Sequence, residues 1–140
     1  MIEATIEKLI AMKLSGMAEG LQEQISNHAY KDLSFEERLG ILVDKEKLSR
    51  ENRQLKILLS HAHLRHHNAC FEDIDFRTRR GLSKDVILKL SQNEWIRSNQ
   101  NIIIVGPTGS GKTYIACSLG NSAVRQGIQT VYIRLPRLAQ

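Results

Sequence analysis

Eight residues, Gly106-Pro107-Thr108-Gly109-Ser110-Gly111-Lys112-Thr113, constrain this chain more than any other stretch. They satisfy every fixed position of the phosphate-binding pattern G-x-x-x-x-G-K-[ST]. Before them runs Asn101-Ile102-Ile103-Ile104-Val105, a short β-branched apolar segment that reads as a buried parallel strand. After them, Tyr114-Ile115-Ala116-Cys117-Ser118-Leu119 continues as a helix. Strand, glycine-rich loop and helix together form the context in which such a pattern carries chemistry.

The residue types follow from that chemistry. Backbone N–H groups of the loop, with the positive end of the helix dipole, form a nest for phosphate oxygens. Gly106, Gly109 and Gly111 permit backbone angles and close approaches that a Cβ would block. Lys112 reaches the β- and γ-phosphates as a point charge, and the Thr113 hydroxyl is suited to ligate Mg²⁺. The candidate nucleotide site is therefore Gly106, Pro107, Thr108, Gly109, Ser110, Gly111, Lys112 and Thr113, with Thr113 as the metal contact.

Composition narrows the class. At 140 residues the chain holds one or two small domains. Its 41% hydrophobic and 25% charged content is ordinary for a soluble globular protein. No run approaches the roughly 18 to 20 apolar residues of a membrane span, and the N-terminus shows no basic segment leading into an apolar one, so neither membrane nor secretion is expected. Cys70 and Cys117 are far apart without a pairing pattern and read as free thiols of a cytoplasmic protein. A net charge of +5 permits a nucleic-acid partner.

The first half is predicted to be helical. Ile2, Ile6, Leu9 and Ile10 share one face, Met17, Leu21 and Ile25 repeat it, and Ser15-Gly16 marks a break between them. Ser34-Phe35-Glu36-Glu37 is a capping box that opens a long helix to about His61, with Phe35, Leu39, Leu42, Val43, Leu55, Leu58 and Leu59 as its apolar residues. A second serine cap is expected at Ser83, opening a helix that carries Val86, Ile87, Leu88 and Leu90. Trp95 is expected to close the core rather than face a nucleotide. Gly127 sits where the loop helix should end, and Gln129-Thr130-Val131-Tyr132-Ile133 reads as a second strand.

Between Lys45 and Arg80 stand nine Lys and Arg against five acids, so most of the net charge lies there. Arg50, Arg53 and Lys56 recur at three-residue spacing, a stripe that can track a phosphate backbone. Glu46-Arg50 and Lys47-Glu51 can equally pair across one turn as a solvated face, and the two readings stand side by side. Arg77, Arg79 and Arg80 form a second basic patch. His61, His63, His66, His67 and Cys70 invite a zinc reading, with His63 and His67 one helical turn apart; the missing second ligand pair argues instead for a polar helix end.

Beyond the loop, Leu14-Ser15-Gly16-Met17-Ala18-Glu19, the segment from Ser34 to Asp44, Arg50-Glu51-Asn52-Arg53, Glu72-Asp73-Ile74-Asp75, Arg80-Gly81-Leu82 and Trp95-Ile96 resemble the IstB-like transposition helper ATPases. The ending Tyr132-Ile133-Arg134-Leu135-Pro136-Arg137-Leu138 is similar to them as well, so the likeness covers essentially the whole chain. These are AAA+ proteins related to DnaC-type helicase loaders and to the initiator DnaA. The resemblance implies an α+β protein. An N-terminal all-α helical module over residues 1–69, binding DNA or a partner, precedes the first part of a P-loop α/β (AAA+) three-layer domain over residues 70–140. It implies ATP and Mg²⁺ as cofactors, and as partners double-stranded DNA, a transposase and further copies in a homo-oligomer.

The chain departs from that pattern after Tyr132. No apolar run ending in an acidic pair follows, nor a sensor residue or intersubunit arginine, which suggests a C-terminally shortened member that retains the phosphate cradle without hydrolysing ATP by itself. A helicase loader, and a DNA- or protein-binding remnant with a vestigial nucleotide site, are the alternative readings.

Overall fold

The computed structural model describes residues 1–77 and 81–138. They form helices α1 (Ile2–Ala11), α2 (Ser15–Ser26), α3 (Phe35–Ala62), α4 (Lys84–Ser91), α5 (Glu94–Arg97), α6 (Lys112–Arg125) and α7 (Leu135–Leu138), with 3-10 turns at His28–Tyr30 and Phe71–Asp73. The chain divides into two compact units, Met1–Gln54 and Leu55–Gln140, and the boundary falls within α3. No described helix is long and apolar enough to cross a membrane.

In the first unit, the capping box is formed in both directions. Ser34 N–H donates to Glu37 Oε2 at 2.8 Å, and Glu37 N–H donates to Ser34 Oγ at 3.2 Å. The break between α1 and α2 lies at Met12-Lys13-Leu14 rather than at Ser15-Gly16, with Lys13 in the left-handed region at φ 61. Gly16 serves a different purpose inside α2. A Cβ there would lie 2.8 Å from both Glu46 Cα and Lys45 O, so its absence lets α2 lie directly on α3. At Gly20, one turn on, a Cβ would meet a side chain instead, Leu42 Cδ2 at 2.9 Å.

Glu46 completes this junction. Leu14 gives α2 no side-chain cap, and Glu46 Oε2 accepts from Met17 N–H at 3.0 Å in its place. The same carboxylate pairs with Arg50 at 3.0 Å and lies 3.7 Å from Arg53. Burial opposes its charge, but donation from Met17, Arg50 and Gly16 outweighs it and holds the carboxyl below the usual glutamate range. Glu23 accepts from Tyr30 Oη at 2.9 Å and pairs with Lys45. Several of the apolar residues of α3, among them Phe35, Leu39 and Val43, are exposed.

The core of the second unit gathers Ala62, Leu64, Ala69, Cys117 and Val124, with Leu55, Leu58 and Leu59 of α3 packed against it. Helix α6 is its centre. It ends as Gly127 predicts: Gly127 N–H donates to Val124 O at 2.9 Å and Ile128 N–H to Ala123 O at 3.0 Å, the paired bonds of a Schellman motif. Ser83 stands at the N-cap position of α4, but its side chain makes no capping bond. Trp95 donates from Nε1 to Leu90 O at 3.1 Å and joins Ile102, Ile104 and Leu119 in the wall of an apolar groove of about 470 Å³.

The two predicted strands are not strands among the described residues, which are helical or irregular throughout. Residues 101–105 nonetheless alternate as a strand would: Ile102 and Ile104 are half-buried, while Ile103 and Val105 are 86% and 87% exposed. A ladder needs a neighbouring strand for its N–H and C=O groups, and among the described residues neither segment has one alongside it. Among the described residues, segment 129–133 is anchored by a single backbone bond to another element, from Tyr132 N–H to Ala62 O at 2.7 Å. The α+β expectation is thus met in its helices and not in a sheet, and the exposure of Ile103 and Val105 departs from the burial on both faces expected of a parallel strand.

Candidate nucleotide-binding loop

Residues 106–111 carry the chain from the extended segment into α6. Gly109 at φ 81 and Gly111 at φ 98 take left-handed conformations that residues with a Cβ rarely adopt, and Gly111 is the N-cap of α6. Pro107 O accepts from both Ser110 N–H (3.2 Å) and Ser110 Oγ (2.7 Å), which closes the turn. At Gly106 a Cβ would meet Ser110 Oγ at 3.0 Å, so the tight closure also favours a bare backbone there. Lys112, the first residue of α6, folds back so that Nζ donates to Gly106 O at 2.5 Å and Pro107 O at 2.7 Å.

The first helical bond of α6 runs from Ile115 N–H to Gly111 O at 3.1 Å. The N–H groups of Lys112, Thr113 and Tyr114 precede it and have no acceptor within the helix. They join the positive end of the helix dipole beside an ammonium group. Gly106 to Gly109 are exposed and Ser110 to Thr113 half-buried, so the loop is open to a ligand from solvent. Unpaired N–H groups, one cation and a half-buried hydroxyl at Thr113 are a donor set that fits a polyphosphate and its divalent metal.

Behind the loop, α6 is tied to the chain that leaves α3. The Tyr114 hydroxyl accepts from Cys70 N–H and donates to Cys70 O, each at 3.4 Å, and its ring lies 5.9 Å from that of His66. Asn121, almost fully buried, donates from Nδ2 to Ala69 O at 2.8 Å and to His67 O at 3.4 Å. On another side, Asn93 is fully buried, donates to Ser122 Oγ at 3.2 Å and finds no partner for its Oδ1 among the described residues. Sequence reasoning missed these contacts. Their one signal was the recurrence of Tyr114, Ser118, Asn121 and Ser122 on an otherwise apolar helix.

The histidine cluster takes a form different from the helical one expected. Helix α3 stops at Ala62 and His63 turns the chain at φ 51, so His63 and His67 are not one turn apart on a helix. Among the described residues no group of three His, Cys, Asp or Glu is arranged to hold a metal ion. Cys70 Sγ instead donates to Asp73 Oδ2 at 3.1 Å, and that bond raises the thiol above its ordinary range.

The basic residues are partly engaged within the protein. Arg50 and Arg53 share Glu46, Lys47 lies 3.9 Å from Glu51, and Arg77 pairs with Asp75 at 3.3 Å. Lys56 is exposed. Arg79 and Arg80 lie outside the described residues.

A glycine-rich turn delivering its chain into a helix N-terminus, with lysine at the first helical position, is a geometry suited to anionic groups. The family model described as IstB-like ATP binding protein matches residues 7–140, and the chain belongs to that family. It is 43% identical over 140 residues to an ATP-binding protein named for insertion sequence IS1162 of Pseudomonas fluorescens, covering all of this chain and 61% of the relative. It is 42% identical over 134 residues to the insertion-sequence ATP-binding protein y4pL of Sinorhizobium fredii, covering 96% of this chain and 54% of that one. With the IS21 ATP-binding protein of Pseudomonas aeruginosa it shares 31% identity over 137 residues, half the length of that relative. The chain thus spans about half to three-fifths of these curated relatives.

Proposed function

We propose that this chain binds ATP with Mg²⁺ through residues 106–113 and is the ATP-binding part of an insertion-sequence transposition helper. The observation that carries this reading is the loop: left-handed Gly109 and Gly111, open N–H groups at the start of α6, and Lys112 already bound to loop carbonyls. The loop N–H groups take phosphate oxygens, Lys112 supplies positive charge to the outer phosphates, and the Thr113 hydroxyl is the protein ligand of the metal. Bound ATP adds the binding energy that holds the loop in one arrangement. Family membership supports ATP as the nucleotide, and the insertion-sequence names of the relatives support the transposition role.

In this reading residues 101–105 and 129–133 are strand-forming segments of a P-loop α/β layer of AAA+ type, whose ladder groups pair with neighbouring strands. Their apolar composition, with the alternating burial of residues 101–105, supports it. Residues 1–69 act as the helical module toward DNA or a partner transposase, and residues 70–140 belong to the nucleotide-binding half of a cytoplasmic, oligomer-forming protein. Double-stranded DNA meets Arg50, Arg53, Lys56, Arg77, Arg79 and Arg80; Arg50, Arg53 and Arg77 must then exchange an internal carboxylate for a phosphate.

The test is an ATP titration of the parent and of Lys112→Ala, with helix content followed by circular dichroism. Binding lost in the variant at unchanged helix content is the expected result. Equal affinity in the two proteins overturns the assignment.

A further inference from the structure

We propose that His63, Arg65 and Arg134 form a binding site for the phosphodiester backbone of double-stranded DNA, an inference that rests on the DNA partnership proposed above. The site is built by one joint in the second unit. Where α3 ends, His63 turns the chain at φ 51, and Leu64 buries itself in the core while His63 and Arg65 on either side of it stay exposed. Tyr132 packs against the same core and donates its N–H to Ala62 O at 2.7 Å, which brings residues 131–134 beside residues 63–65. The result is a groove of about 460 Å³ lined by His63, Arg65, Val131, Tyr132, Ile133 and Arg134.

The charge of this groove is uncompensated. Among the described residues no carboxylate lines it, and neither Arg65 nor Arg134 has an ion-pair partner. Arg50, Arg53, Arg77 and Arg97 all face an internal acid. Two guanidinium forks and an imidazole around one open groove suit oxyanions held through paired N–H donors. Val131 and Ile133, both more than half exposed, offer apolar surface beside those donors against which a deoxyribose can lie. Arg65 and Arg134 are far apart in sequence, which is why a search for periodic basic stripes cannot find the pair.

The experiment measures binding of the parent and variants to a fluorescent DNA duplex over a range of salt concentrations from low to physiological. Removing both guanidinium groups, in Arg65→Ala with Arg134→Ala, should lower the slope of log affinity against log salt by about 1.8, at about 0.9 per phosphate contact. ATP affinity and the thermal transition should stay at their parental values. The charge-preserving pair, Arg65→Lys with Arg134→Lys, should keep the parental slope. A parental slope in the alanine pair, or a lost slope in the folded lysine pair, overturns this site while leaving DNA partnership intact. A parent that shows no salt-dependent DNA binding overturns both. An unchanged DNA slope with self-association lost in sedimentation assigns the groove to an acidic surface of a second copy and likewise overturns the proposal.

Discussion

The side-chain amide of Asn121 donates to the carbonyl of Ala69 at 2.8 Å, with both residues almost excluded from water. This bond is the shortest of those that fasten the chain leaving α3 to the helix that begins at the glycine-rich loop. Substituting Asn121 with Ala strands the Ala69 carbonyl in an apolar setting, a loss of about 1–3 kcal/mol for a buried unsatisfied group. A lowered urea midpoint with an unchanged m-value is the expected outcome; a parental midpoint would mean that water replaces the amide at no cost.

Two glycines of the first unit should respond in opposite directions. Gly16→Ala drives a Cβ into the backbone of Lys45 and Glu46, an overpacking that costs about 1–3 kcal/mol. Gly40, inside α3, has nothing within 4 Å of the same position, so Gly40→Ala should gain about 0.5–1 kcal/mol from helix propensity. Thermal melts of the two variants against the parent read both signs at once.

Acid should weaken the junction of α2 with α3 through Glu46. Its folded carboxyl lies below the unfolded glutamate value of about 4.3. Its contribution is therefore complete above that value and is lost as pH falls through the lower folded one. Glu46→Gln should lower the melting temperature at pH 7 and merge with the parent in strong acid. A constant offset between the two curves across the whole range would remove Glu46 from the acid limb.

The two thiols should differ sharply in reactivity. Cys117 is fully buried in the core and should resist alkylation until the second unit unfolds. Cys70 is half-buried, and its bond to Asp73 disfavours the thiolate that reacts. At pH 8, Asp73→Asn should therefore speed alkylation of Cys70 and leave Cys117 protected. Mass spectrometry of the modified chain distinguishes the sites, and a slower Cys70 in the variant would contradict the role given to Asp73.

Signals confined to a few neighbouring residues are legible in the order of the amino acids. The capping box at Ser34 and Glu37, the reach of α3 to Ala62, the start of α6 at Lys112 and its end at Gly127 all follow from hydrogen bonds closed within one or two turns. The phosphate loop is legible for the same reason, since its glycines and its lysine act on backbone groups at most six positions away. Tertiary structure decided whatever depends on which faces meet. Glu46 caps a helix 29 residues earlier in the chain. Asn121 reaches Ala69 across 52 residues, and Tyr132 fixes itself to Ala62. Residues 101–105 and 129–133 carry strand-like sequences, but a strand exists only beside a partner, and that pairing is a property of the assembled chain rather than of either segment.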